Sequence, residues 1–73
     1  MRKGCFRQQS GTAKAWLVYP PEAGPAAGFW VPRSVCAHRS ELEPAHAHLH
    51  PLVQLTLEEW WCAKHPELDR YLS

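Results

Sequence analysis

The first acidic residue of the chain is Glu22, cysteine occurs only three times, and no apolar run approaches the ~20 residues that a membrane-crossing helix needs. Each scarcity excludes something. Without a long apolar run, no segment is expected to span a bilayer. An odd number of thiols, with no apolar stretch behind the basic N-terminus, argues against secretion and against a disulfide scaffold, and for reduced cysteines in a cytosol. Net charge is scarce as well. At +1 it lacks the basic balance of a dedicated nucleic-acid binder and the acidic face of a DNA mimic. Catalytic motifs are missing too: there is no nucleophile elbow, phosphate-cradling glycine loop or paired-carboxylate motif. Cys36 and His38 stand two apart, and that spacing alone does not set a base against a nucleophile. A chain of 73 residues forms one small domain, 1–73. It buries only roughly 60% of the surface its unfolded form exposes, leaving little material for a deep pocket. The expectation is a non-enzymatic protein with no catalytic residues and no cofactor.

What is present is unevenly placed. Arg2, Lys3, Arg7 and Lys14 precede any acid, so the N-terminal third is a cationic arm on a balanced body. Such an arm can meet phosphate or an acidic protein surface, or simply keep the N-terminus solvated. Four of the five histidines fall between Arg33 and Pro51, among them His46, His48 and His50. Cys36–His38 lies upstream of these and Cys62–His65 downstream. Cysteine and histidine are zinc ligands, but H-x-H-x-H matches no structural-zinc spacing and C-x-x-C is absent. Incidental histidines are the simpler reading, and no metal site is expected.

The residues up to Tyr19 predict a hairpin, with Ser10–Gly11 supplying the turn and β-compatible side chains on either side. In Ala13–Tyr19, Trp16 and Val18 share one face while Ala15, Leu17 and Tyr19 share the other. Both faces carry apolar groups, which suits a central strand. Pro20–Gly28 is a proline- and glycine-rich loop. Phe29–Trp30–Val31 starts a third strand, and Pro32, which cannot donate to a ladder, ends it. The stretch 33–51 has little periodicity and two breakers, Pro44 and Pro51. It is expected to be a long loop, with one helical turn near Ser40–Glu43, of the functional or mobile kind. Thr56 and Glu59 have capping-box spacing, and Pro66 biases His65 away from helix, which together predict a helix over Leu57–His65. Residues 66–73 are expected to form a frayed tail, with at most a short turn. The fold class expected is α+β: a small three-stranded antiparallel meander with a C-terminal helix.

Four tryptophans, two phenylalanines and two tyrosines are the main stabilising groups, and at least two of the tryptophans must be core. The remaining rings are candidates for recognition, because Trp, Tyr and Arg dominate interface energetics. Phe6 beside Arg7, and Trp30 followed by Arg33, each place an aromatic anchor near a cation. Lys14 adds charge on the second strand. Phe6, Arg7, Lys14, Trp30 and Arg33 are therefore the candidate protein-binding residues. The first strand, nearest the N-terminus, is taken as an open sheet edge able to accept a partner strand.

The segments KAWLV, WVPRS and LTLEEWW, with AKHPEL behind them, resemble the small RNA-polymerase-binding transcription regulators of lytic Xanthomonas phages. The resemblance covers roughly residues 3–72. It implies a monomeric protein in the host bacterial cytoplasm that engages the β′ N-terminal region and the β subunit of RNA polymerase. It further implies inhibition of initiation through displacement of the σ factor, readthrough of terminators, and no direct sequence-specific contact with nucleic acid. The resemblance assigns no individual interface residue, so the five named above rest on physical grounds. On those grounds the sheet edge with Phe6, Arg7 and Lys14 would anchor, and the 33–51 loop or the C-terminal segment would make a second contact. Two alternatives stay open: a phage inhibitor of some other host protein, and a small nucleic-acid-binding module.

Overall fold

Val53, Leu55 and Leu57 are fully buried, while Leu52, Gln54 and Thr56 between them are half-buried. That period of two is the mark of a strand packed hard on one side. In the computed structural model, which describes residues 1–43 and 50–73, the strand is the fifth of five. The order is β1 (Arg2–Gly11), β2 (Ala15–Tyr19), β3 (Phe29–Pro32), β4 (Cys36–Glu43), β5 (Leu52–Leu57) and helix α1 (Glu59–Ala63). Short 3-10 turns occupy Pro25–Ala27, Arg33–Val35 and Pro66–Tyr71. The strands form one antiparallel sheet in the order β3-β2-β1-β5-β4.

The protein is therefore mostly β, and the expected three-stranded meander with a C-terminal helix is corrected to a five-stranded sheet with one short helix. One of the two added strands, Cys36–Glu43, hid in the stretch read as a loop, and the other, Leu52–Leu57, follows that stretch. Cys36–Glu43 has no run of alternating apolar residues, only Cys36, Ala37 and Leu42 scattered among polar ones, so it carries no clear hydrophobic period. Its strand character comes from pairing with β5. The expected helix turn at Ser40–Glu43 is part of that strand. Thr56 pairs with Lys3 and His38 inside the sheet, so it is no helix cap. Leu57 is the last residue of β5 and fully buried. The helix thus begins two residues later than expected, with no side-chain cap at Glu58. Glu59 instead meets the N-terminal ammonium at 3.1 Å.

β1 is central, not an edge, because its ten residues serve two partners in turn. Arg2–Arg7 pairs with β5, and Arg7–Gly11 pairs with β2. A register shift between Gln8 and Ser10 lies just past the changeover, and such irregularities bend a strand and increase its twist. The true edges, β3 and β4, are joined by only the three residues Arg33–Val35, so the sheet must curl to bring them together. Inside the curl lie Phe6, Val18, Val31, Val35, Val53, Leu55 and Leu57. The Phe6 ring meets Phe29 edge-on at 5.5 Å, a favoured aromatic geometry.

The remaining side of this core is covered by the C-terminal residues, which are not frayed. Trp61, Cys62, Leu68 and Leu72 are buried there. Leu72 bridges Gly4, and the backbone of Ser73 exchanges hydrogen bonds with Lys3 at 3.2 and 2.8 Å. Arg2 reaches Asp69 at 2.6 Å. These contacts occupy the part of β1 that β2 is too short to cover. Of the adjacent tryptophans, Trp61 faces the core and Trp60 is exposed.

Candidate partner-binding surface

The five residues chosen from the sequence do not form one surface. Phe6 is fully buried at the centre of the core and cannot touch a partner. That choice is corrected: on a central strand, alternation sends Phe6 inward with Gly4, and Val53 stands opposite it.

Arg7 points to the other side of the sheet and holds the fold together. Its Nη1 donates to Glu43 Oε1 at 2.9 Å and to the His50 carbonyl at 3.1 Å. One guanidinium thereby ties the end of β4 to His50, two residues before β5. Tyr19 Oη lies 2.7 Å from His50 Nδ1 and packs its ring edge-on against the imidazole. His46, His48 and Pro44 lie outside the described residues. Among the described residues no three His, Cys, Asp or Glu side chains gather as a metal ion would require. Cys36 Sγ donates to the His38 carbonyl, and the His38 ring lies 2.7 Å from Ser40 Oγ. Burial pushes the Cys36 and Cys62 thiols above their ordinary range. Cys5 is exposed.

Trp30 is half-exposed, on the outer face of edge strand β3, and pairs with Leu17 of β2. Phe29 and Val31 face inward, as period-two alternation requires. Pro32 closes the strand, and the next amide, of Arg33, donates to the Lys14 carbonyl at 2.8 Å. That single bond sets Lys14 and Arg33 side by side in the backbone. Both side chains are exposed, and neither has a carboxylate within ion-pairing distance among the described residues.

Arg33 does have one partner. Its guanidinium lies 4.7 Å from the centre of the Trp16 ring, and Arg39 of β4 approaches the same ring at 5.9 Å. Arg39 comes from the far edge of the sheet and reaches Trp16 only because the sheet curls. Its Nε donates to Gln8 Oε1 at 2.8 Å, and its Nη2 stands 3.6 Å from Glu41. Gly11 keeps this cluster open, because a Cβ there would lie 3.1 Å from Trp16 Cδ1. The structure thus unites Arg33 and Arg39 around a half-buried indole, with Lys14 beside Arg33 through its backbone, separate from Trp30 and Arg7. Sequence reasoning missed Arg39 and the role of Trp16, since no pattern in a polar strand indicates which ring an arginine will reach.

An open cleft of about 460 Å³ lies between Pro21–Glu22 and Arg70–Ser73, with Cys5 and Gln54 in its lining. No helix among the described residues is long and apolar enough to cross a membrane. No family model, curated relative or solved structure matches the chain.

Proposed function

We propose that this chain is a phage-encoded regulator that binds host bacterial RNA polymerase in the host cytoplasm, contacting the β′ N-terminal region and β. In this reading it acts as a monomer, inhibits σ-dependent initiation and promotes readthrough of terminators. The named partner rests on the resemblance of KAWLV, WVPRS, LTLEEWW and AKHPEL to phage polymerase regulators. The observation that carries the binding role is the pair of exposed cations, Lys14 and Arg33, joined through the backbone and without carboxylate partners among the described residues, with Arg33 set over Trp16.

So small a protein regulates by preferring one state of the polymerase over another. A near-complete switch between two states takes about 5.5 kcal/mol of differential affinity. Two contacts serve this better than one: the first holds the complex in every state, and the second forms in one state only. The cationic cluster and the exposed Trp30 face offer two such contacts on different parts of the surface. This replaces the anchor expected at Phe6 and Arg7, which the fold keeps for itself.

The test is capture of purified bacterial RNA polymerase core and holoenzyme on the immobilised chain. Retention of core, with loss of σ from holoenzyme as the chain is titrated in, is the expected result. Failure to retain either form ends this reading. The guanidinium–indole cluster also favours a second reading, a small nucleic-acid binder, since bases stack on rings beside arginines. That reading predicts affinity for oligonucleotides that falls steeply with salt, as counterion release requires.

A further inference from the structure

We infer that the Arg33–Trp16–Arg39 cluster is a carboxylate-binding site for an acidic segment of the partner protein, with Glu41 standing in for the partner's carboxylate until that segment arrives. This rests on the reading that the partner is a protein.

The geometry of the two arginines carries the argument. A guanidinium presents its N–H groups in a planar fork that matches a carboxylate, and holding it against a ring reduces the freedom it must lose on binding. Arg33 is held in this way over Trp16 at 4.7 Å, with no acid in ion-pairing distance among the described residues. Arg39 is oriented by Gln8, which accepts from Nε and leaves the terminal nitrogens for another acceptor. Arg39's present neighbour is Glu41, at 3.6 Å from Nη2. At that separation the pair is an electrostatic contact and too long for a hydrogen bond. Half of the Glu41 side chain is exposed, so it can be displaced at little cost, as is usual for solvated ion pairs. Gly11 leaves the approach to the ring edge and to Arg33 Nη2 clear.

The same observations favour carboxylates over phosphates. A nucleic-acid strand brings a regular series of charges and calls for a track of cations. Here Arg33 and Arg39 meet at one ring, Lys14 adjoins Arg33 through the backbone, Glu41 pairs with Arg39, and the net charge of the whole chain is only +1. One or two acidic side chains projecting from a folded partner satisfy such a group; a phosphate backbone continues past it with nothing to meet.

The experiment uses the whole chain with three probes: a fluorescent Glu/Asp-rich peptide with its Gln/Asn counterpart as control, oligouridine, and purified bacterial RNA polymerase. The acidic peptide is expected to bind in preference to its control. Arg33→Gln is expected to weaken it about tenfold, the scale of a charge-assisted hydrogen bond, with an unchanged circular dichroism spectrum and urea midpoint. Glu41→Gln is expected to tighten binding about two- to fivefold, because an exposed intramolecular competitor has been removed. Binding no better than the control, preference for oligouridine, or weaker binding by Glu41→Gln each overturn the inference. If polymerase is retained equally by Arg33→Gln and Arg39→Gln, the partner stands and this site falls. If the acidic peptide binds as described and polymerase is not retained, the site stands and the proposed partner falls.

Discussion

A Cβ built on Gly4 would lie 2.7 Å from both Leu72 Cδ2 and Phe6 Cε2, closer than such atoms approach without something shifting. Gly4 is where β1 accepts Leu72 on one side and Leu55 on the other, so a methyl group there would push the C-terminal residues off the core. Gly4→Ala is expected to cost about 1–3 kcal/mol, in the range of overpacked interiors, measured as a lowered urea midpoint. The buried thiols act at the same scale. Cys36 and Cys62 resist ionisation because burial disfavours the thiolate. Below the ordinary thiol range both folded and unfolded chains keep these protons, and stability is unaffected. Above it the unfolded chain releases them first, so stability is expected to fall as pH rises. Urea unfolding at neutral pH and about two pH units higher measures this, and Cys62→Ala is expected to remove part of the fall.

Among the elements, Arg7 and Lys14 look alike in sequence, each a cation on one of the first two strands, and the structure gives them opposite roles. Arg7 links the end of β4 to the approach to β5 through Glu43 and the His50 carbonyl. Lys14 sits exposed in the β1–β2 turn, where the Thr12 hydroxyl accepts from its amide at 3.3 Å. Reversing the charge of Arg7 sets two carboxylates against each other and strips the His50 carbonyl of a donor. Arg7→Glu is therefore expected to lower stability by about 1–2 kcal/mol. Lys14→Glu is expected to leave stability within about 0.5 kcal/mol, as surface changes do, while weakening partner capture. Paired denaturation and capture measurements on both variants separate the two roles.

For the whole molecule, closure depends on the two ends of the chain. Strand β1 offers its first half to β5 and to the C-terminal residues, and its second half to β2. Deleting Leu72 and Ser73 would remove a buried leucine and the paired backbone bonds with Lys3. The expected loss is about 2–4 kcal/mol, the scale of a core truncation, a large share of what so small a domain has to lose. Hydrogen exchange is the complementary measurement: in the truncated chain the amide of Lys3 is expected to lose protection before that of Phe6.

The sequence by itself determined the local alternations and the breaks. Trp16 with Val18, Phe29 with Val31 and Trp30 against them, the stop at Pro32 and the loop after Tyr19 all follow from side-chain period and from proline chemistry, which act over neighbouring residues. Only the tertiary structure decided the rest. Cys36–Glu43 has no apolar face of its own and becomes a strand through β5. Thr56 has the spacing of a cap but is taken by the sheet, where burial of Leu57, about 1.5–3 kcal/mol, outweighs the roughly 1 kcal/mol of a cap. Phe6 turned inward because β1 is shared on both sides, and Arg39 reached Trp16 because the edge strands are drawn together by a three-residue link. Period and breakers are properties of adjacent residues, whereas partner strands and ring–cation contacts depend on residues far apart in the chain, which only the folded sheet brings within reach.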